Sequence, residues 1–429
     1  MSDQKGSSQQ APAPPPEKRN LIQRIFVRSG VRDAILIPIL AIFTAMLVGG
    51  VIIAISTPAV IEAWKHFFQA PLEAIKITLQ TIWNAYVALF QGAFGVPSEI
   101  INGFKVWIQT GNSTLLLRAL RPLGESLRLT TPYIFAGLAV ALGFRGGLFN
   151  IGAEGQLFLG GLASAFVGYS IKGLPLVIHL PLAILAGVLA GALWGAIPGF
   201  LKARFGAHEV INTIMMNYIA FRLADYLLQG PMARPDRMPI TPEVQKSAVL
   251  PTLLPEPVRV HFGLIIALFT AWAVYWFLWK TPKGLEIRMV GANPHAARYA
   301  GIRIALIIVL TMSLSGGLAG MAGVNQVLGV DHHMVRAFSS GYGFDSIALA
   351  LLGNSHPLGV VLSSFLFGFL SGGAARMQST VGVPIEIIKI IQGLIIIFVA
   401  APEVIRSLYR LRPKEEKEKL VAKEGLSSS

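Results

Sequence analysis

A chain of 429 residues that is 53% hydrophobic, 14% charged and of mean hydropathy +0.61 lacks the balance of a soluble globular enzyme. Its formal net charge of +14 would suit nucleic acid, but the basic residues gather at the two ends and in loops between apolar runs, as cytoplasmic loops of membrane proteins do. No nucleic acid partner is expected, and the absence of cysteine excludes disulfides, thiolate metal sites and cysteine nucleophiles.

Residues 1–33 open with a Ser, Gln and Pro-rich stretch and continue through Lys18, Arg19, Arg24, Arg28 and Arg32. That composition cannot bury a core, so a disordered basic cytoplasmic tail is expected there. A transmembrane domain is expected over 34–402 and a charged cytoplasmic tail over 403–429. Apolar runs follow at 34–56, 130–144, 156–169, 179–201, 210–228, 262–279, 304–328, 344–352, 358–374 and 385–401. Runs of roughly 17–25 residues match a hydrocarbon core roughly 30 Å thick, in which only helices or closed barrels satisfy their backbone. Continuous runs select helices over alternating strands. The expected fold class is an all-α, polytopic transmembrane helical protein with about ten spans, several short or broken, and two weakly related halves.

Even parity places both termini inside, with Arg145, Lys202, Arg204 and the basic residues of 281–303 on the same side. The proline-rich loop 230–259 then falls outside. The region 57–129 is expected on the outer side. There Ile75, Leu79, Ile82, Tyr86 and Leu89 recur at spacings of four and three, the pattern of an amphipathic helix lying on the surface. Gly187, Gly191 and Gly195, Gly316 and Gly320, and Gly368 and Gly372 are four residues apart, as close helix packing in lipid requires. Tight contacts within the chain are the plainer account than a dimerisation face.

Two places set polar groups into broken helices. Gly146-Gly147-Leu-Phe-Asn150-Ile-Gly152-Ala-Glu154-Gly155-Gln156 lies between apolar runs; Gly341-Tyr-Gly343-Phe344-Asp345-Ser346 leads into the short run Ile347–Leu352. Each has glycine, then a carboxylate, then a short apolar helix, in opposite halves of the chain. Interrupted helices of duplicated halves line substrate paths in transporters. Asn150, Glu154, Gln156, Asn217, Phe344, Asp345 and Ser346 are therefore candidates for a translocation path, although capping of helix N-termini accounts for Glu154 and Asp345 more simply. Glu209, Asn212, Arg222 and Asp225 could also line a path, yet an i, i+3 pair such as Arg222 and Asp225 is often only structural. Asp331-His332-His333 reads as a solvated outer loop; no metal site is expected.

The chain has no Gly-Lys dipeptide, hence no P-loop, and neither H-E-x-x-H nor G-x-S-x-G; an enzyme is not expected. The inner loop 281–303 holds Gly291-Ala-Asn293-Pro294-His-Ala296-Ala297-Arg-Tyr-Ala-Gly301, in which Pro294 pre-sets a first helical turn on a short, small-faced helix. Such a helix can enter a groove on a soluble partner.

Taken in order, Gly147 to Gln156, His208-Glu209-Val-Ile-Asn-Thr-Ile-Met-Met-Asn217, Gly291 to Gly301, and Gly343-Phe-Asp345-Ser-Ile-Ala-Leu-Ala-Leu-Leu-Gly353 to Gly359 resemble the permease subunits of bacterial ABC importers for branched-chain amino acids, simple sugars and nucleosides. The nucleoside branch is the nearest, over roughly 115–401. The resemblance implies a multi-pass plasma membrane protein that forms the path for a small polar solute and carries no cofactor of its own, ATP being used by a partner ATPase. It implies docking of that ATPase on 281–303 through Gly291, Asn293, Pro294, Ala296, Ala297 and Gly301. It also implies a second permease chain, a paralogue or a further copy of this one, and a lipid-anchored extracytoplasmic binding protein. A simple sugar or a riboflavin-like solute suits the same architecture. An ion-coupled secondary carrier, with Glu154 and Asp345 as ion sites, is the alternative from another class.

Overall fold

A computed structural model describes residues 29–236, 238–336 and 338–410. Among these residues the chain is helical with no named strand, only two isolated antiparallel bridges, Ile240 to Val335 and Thr252 to His261. The tails expected at 1–33 and 403–429 lie outside the described residues up to 28 and from 411. Residues 29–33 instead belong to the first helix, and 403–408 to the last.

In chain order the helices are α1 (Ser29–Ser56), α2 (Pro58–Lys65), α3 (Pro71–Phe94), α4 (Pro97–Thr110), α5 (Thr114–Arg145), α6 (Ala153–Ser170), α7 (Leu176–Phe205), α8 (Glu209–Gln229), α9 (Gly263–Lys280), α10 (Pro282–Ala292), α11 (Pro294–Tyr299), α12 (Ile304–Gln326), α13 (Tyr342–Leu352), α14 (Pro357–Val381), α15 (Glu386–Ala400) and α16 (Pro402–Leu408). Every predicted apolar run falls on a helix. Six described helices are long and apolar enough to cross a membrane, and seven if α15 and α16, bent by 89° at their junction, form one span. Helices α6 and α8 reach spanning length with more polar sequence, and α13 is a short apolar helix. The run at 130–144 is the C-terminal half of a 32-residue helix, because Arg118, Arg121, Glu125 and Arg128 interrupt the hydropathy without interrupting helix propensity.

The glycine rows pack against this same chain. A methyl group on Gly191 would overlap the Gly316 carbonyl oxygen, and one on Gly195 would overlap that of Met312. On Gly160 of α6 it would overlap the backbone of Gly320. Helices α6, α7 and α12 thus meet backbone to backbone. In α14, Gly368 and Gly372 seat the Thr130 and Ser126 side chains of α5 in the same way.

Between 57 and 129 only part of the expected stripe packs inward: Leu89 is buried, and Ile82 and Tyr86 are half-buried. Helix α3 buries Ala74, Ala85, Ala88, Leu89, Gly92 and Ala93, while Ile75 and Leu79 are exposed. The small residues set this packing face because they allow close approach to α14: a methyl on Gly92 would stand 2.8 Å from the Gly373 carbonyl oxygen. Tyr86 completes the face by donating to the Met46 carbonyl of α1.

Candidate functional site

Helix α5 ends at Arg145, and the glycine-rich break turns back through Gly147, whose φ of +69° lies in the left-handed region. Asn150 then closes the break. Its Nδ2 donates to Gln156 Oε1 and to Ser315 Oγ, both at 2.8 Å, and its Oδ1 accepts from the Gly152 N–H at 3.0 Å and from Gln156 Nε2 at 3.2 Å. Ser315 in turn donates to the Ala139 carbonyl at 2.6 Å. From α8, Asn217 accepts from the Gly155 N–H at 2.8 Å and donates to the Ile151 carbonyl at 3.0 Å. Asn150, Gln156 and Asn217 are each 1% exposed or less, so their hydrogen-bonding capacity is spent inside the protein, bracing irregular backbone that lipid could not satisfy.

Glu154, 3% exposed, reaches across to the second break. Its Oε2 accepts from the Gly343 N–H at 2.6 Å, and Ser339 and the Phe344 N–H are directed at it as well. The carboxyl group caps the N-terminus of α13 from another helix, where the free N–H groups and the dipole favour it. Gly343 is required for this approach: a Cβ there would stand 2.6 Å from Glu154 Oε2 and overlap the Glu154 backbone. Asp345, in the first turn of α13, accepts from the Tyr133 hydroxyl at 2.9 Å. Ser346 donates back to the Gly343 carbonyl and is buried. Phe344 alone of the seven candidates presents a large exposed surface, at 46%. The two broken helices noted in opposite halves of the sequence are therefore joined directly.

Nothing in the spacing of the sequence singles out Tyr133, Ser315 or Ser339. Tyr133 and Ser315 lie on long helices among many similar residues, and their roles depend on which helix faces them.

The other polar residues divide by setting. Lys202 meets Glu209 at 2.5 Å, while Asp225 is held by Arg336 at 2.9 and 3.2 Å and stands 3.8 Å from Arg222. Arg222 itself is 86% exposed at its side chain, on a face of α8 that also carries Met215, Tyr218 and Tyr226. Asp331 accepts from Gln326 at 3.0 Å beside a π-helical turn over Val327–Asp331, and His332 adopts a left-handed φ of 58°. At the start of α9, His261 is pushed down to about 4 by burial, with Arg128 and His332 adding to it. It stays neutral near pH 7, and its Nδ1 accepts from the Gly263 N–H at 3.2 Å. A cavity of about 310 Å³ among α5, α7, α9 and α12 is lined by apolar side chains such as Leu142, Val188, Val274 and Phe277, and offers a polar solute little to bind.

The loop 281–303 forms α10 and α11. Thr281 caps α10 through the Gly284 N–H, and Asn293 caps α11 through the Ala296 N–H, each at 3.1 Å. Gly291 lies against the backbone of Arg145, Gly146 and Gly147; Ala297 is fully buried, and Gly301 turns the chain with φ +80°. Pro294, Ala296 and Tyr299 face outward, Tyr299 at 95% exposure.

Comparison with known proteins matches residues 123–400 to the family described as branched-chain amino acid transport system permease component. The guanosine ABC transporter permease protein NupP of Bacillus subtilis is 41% identical over 75% of this chain and 93% of its own length. The glucose ABC transporter permease protein TsgB13 of Haloferax volcanii is 37% identical over 66% of this chain and 76% of its own. The nucleoside ABC transporter permease protein NupB of Lactococcus lactis is 34% identical over 69% and 84%. No solved structure matches the chain.

Proposed function

The chain belongs to the family of branched-chain amino acid transport system permease components, and from that premise we propose that it forms the membrane path for a nucleoside in an ABC importer. The likeness to guanosine and nucleoside permeases over most of their length carries the substrate class. As a multi-pass membrane subunit of this family it works with a separate ATPase and an extracytoplasmic binding protein. We infer further that both termini are cytoplasmic, that the binding protein is lipid-anchored, and that the second permease chain is a paralogue.

Within that reading α11 is the segment that docks on the ATPase. Its six sequence-selected residues split by role. Asn293 and Gly301 shape the helix, and Gly291 and Ala297 hold it against the membrane body. Pro294 and Ala296, joined by Tyr299, present the docking face. Tyrosine is among the residue types enriched at interface hot spots, and Tyr299 stands exposed between Arg298 and Ala300. Tyr299→Ala is therefore expected to weaken ATPase binding about tenfold, equivalent to about 1.4 kcal/mol, while leaving the permease's thermal unfolding unchanged. Titration of purified ATPase against variant and parent checks this. Ala297→Leu, by contrast, should lower thermal stability, because the added volume has to displace α11.

The exposed face of α8 is the second surface of interest. An exposed guanidinium on a helix of spanning length would cost about 2.5–3.5 kcal/mol against lipid. Arg222, with Tyr218 and Phe344, is better suited to a watered path or to the second permease chain.

The test of the function is uptake of labelled guanosine or adenosine, with ribose and glucose as comparisons, into proteoliposomes. These hold this chain with its co-expressed permease, ATPase and binding protein. ATP-dependent nucleoside uptake supports the reading. Uptake of sugar alone would move the substrate class, as the likeness to a glucose permease allows, and ATP-independent uptake would overturn the importer mechanism.

A further inference from the structure

The guanidinium of Arg145 joins parts of the chain that sequence separates widely. Its Nη2 donates to the Asn354 carbonyl at 2.8 Å and its Nε to the Ser355 carbonyl at 2.9 Å, just beyond the C-terminal end of α13. Asn354 and Ser355 are consecutive non-glycine residues with φ of 50° and 49°, a backbone shape that persists only where the surroundings hold it. The same guanidinium lies over the Trp279 indole at 5.4 Å from its centroid. Arg288 of α10 lies over that ring at 5.7 Å, and His356 packs against it at 5.1 Å. His356 is held down from its ordinary value by burial and by Arg145, so its Nδ1 remains free to accept from the Leu358 N–H.

Helix α10 touches the other side of this residue. A methyl on Gly291 would overlap the Arg145 carbonyl oxygen and stand 2.7 Å from the Gly147 nitrogen. Helix α13 is thus tied to the first glycine-rich break at both ends: Arg145, before the break, holds its C-terminal side, and Glu154, after the break, holds the Gly343 N–H. Eleven helical residues at 1.5 Å each are a rod of about 16 Å, which transmits displacement at one end to the other.

We propose that Arg145 is the positioning residue that passes movement of the α10–α11 segment to α13, and so to the Glu154–Gly343 junction and Phe344. This rests on the importer reading above. Displacing α10 shifts Gly291 against the Arg145 backbone, and the planar guanidinium fork carries the two carbonyls with it. Lysine has the charge but not the fork, so it cannot hold both carbonyls in one plane. The Trp279 and His356 rings, tilted 51° to one another, keep the fork oriented, and Arg288 on the same indole ties that pair to α10.

The experiment uses the full assembly of permeases, ATPase and binding protein in proteoliposomes, and reads molecules of labelled guanosine taken up per ATP hydrolysed. Arg145→Gln and Arg145→Lys are both expected to keep ATP hydrolysis within about twofold of the parent while uptake per ATP falls at least tenfold. A residue needed only for folding would lower uptake and hydrolysis together and leave their ratio unchanged. An unchanged ratio overturns the proposal. If Arg145→Gln does not assemble, Arg145→Lys, which preserves charge and most of the volume, carries the same test. A parent assembly that hydrolyses no ATP in response to binding protein and solute overturns the importer reading itself, a result that no Arg145 variant can produce.

Discussion

Leucine at Gly191 is expected to leave no folded permease in the membrane. Helices α7 and α12 have no hydrophobic drive to associate in lipid, and their affinity comes from close van der Waals approach between backbones. At Gly191 the obstacle is the Gly316 carbonyl, and the Gly320 Cα at 2.9 Å stands behind it. Backbone cannot rotate away as a flexible side chain can, so the two helices must separate along their length. Separation also opens the contacts of Gly195 with Met312 and of Gly187 with the Gly160 carbonyl, at 2.7 Å from an added methyl, so α6 loosens with them. Overpacking in a core costs about 1–3 kcal/mol where side chains yield and more where they cannot, against total stabilities of about 5–15 kcal/mol. Gly393 on α15 supplies the control, since an added methyl there meets nothing within 4 Å. Thermal unfolding and the monodisperse fraction in detergent should be lost for Gly191→Leu and kept for Gly393→Ala. A stable Gly191→Leu protein would mean that α7 and α12 do not pack as described.

Replacement of Glu154 is the second large effect, and two substitutions separate its roles. Glu154→Ala removes the acceptor that meets the Gly343 N–H at 2.6 Å and leaves a buried donor unpaired, at a cost of about 1–3 kcal/mol. The start of α13 should loosen, and uptake should fall at least tenfold with a lower unfolding temperature. Glu154→Gln retains an amide oxygen in the same place and the same volume. If the carboxyl group works as a cap, the glutamine variant keeps most of its stability and uptake. If Glu154 were the ion site of a secondary carrier, glutamine would abolish gradient-driven uptake while sparing the fold. Uptake rates and unfolding temperatures for both variants settle the matter.

How much of the site was legible in the sequence differs residue by residue. The pair of Glu154 and Asp345 stood out because a carboxylate after glycine-rich backbone is costly in an apolar chain, and capping was the plainer expectation. What spacing could not show is that Glu154 caps α13 and not its own helix, since the acceptor and donor are 189 positions apart. Asn150, Gln156 and Asn217 were legible as polar groups among apolar runs. Their hydrogen bonds, between Asn150 and Gln156 and between Asn217 and the backbone of the break, needed the fold. In the loop 281–303, Asn293 and Pro294 announced a capped short helix. The inward aspect of Ala297 and the outward aspect of Tyr299 depend on how that helix rests on the body. The stripe on α3 was legible in part: Leu89, Tyr86 and Ile82 do lie on the packed side, and the small residues beside them, such as Ala85 and Ala88, complete the buried face.

By itself the sequence determined that this is a polytopic helical membrane protein with interrupted segments and a capped short helix in the loop 281–303. Run length, glycine spacing and the cost of buried polar groups are local properties of the chain. Only the tertiary structure decided which backbone each polar side chain satisfies, and it brought Arg145, Gly291, Glu154 and Gly343 into one connected set. Those contacts depend on helix positions and rotations, which are settled when close-packed glycine faces lock together, and no local pattern in the chain specifies them.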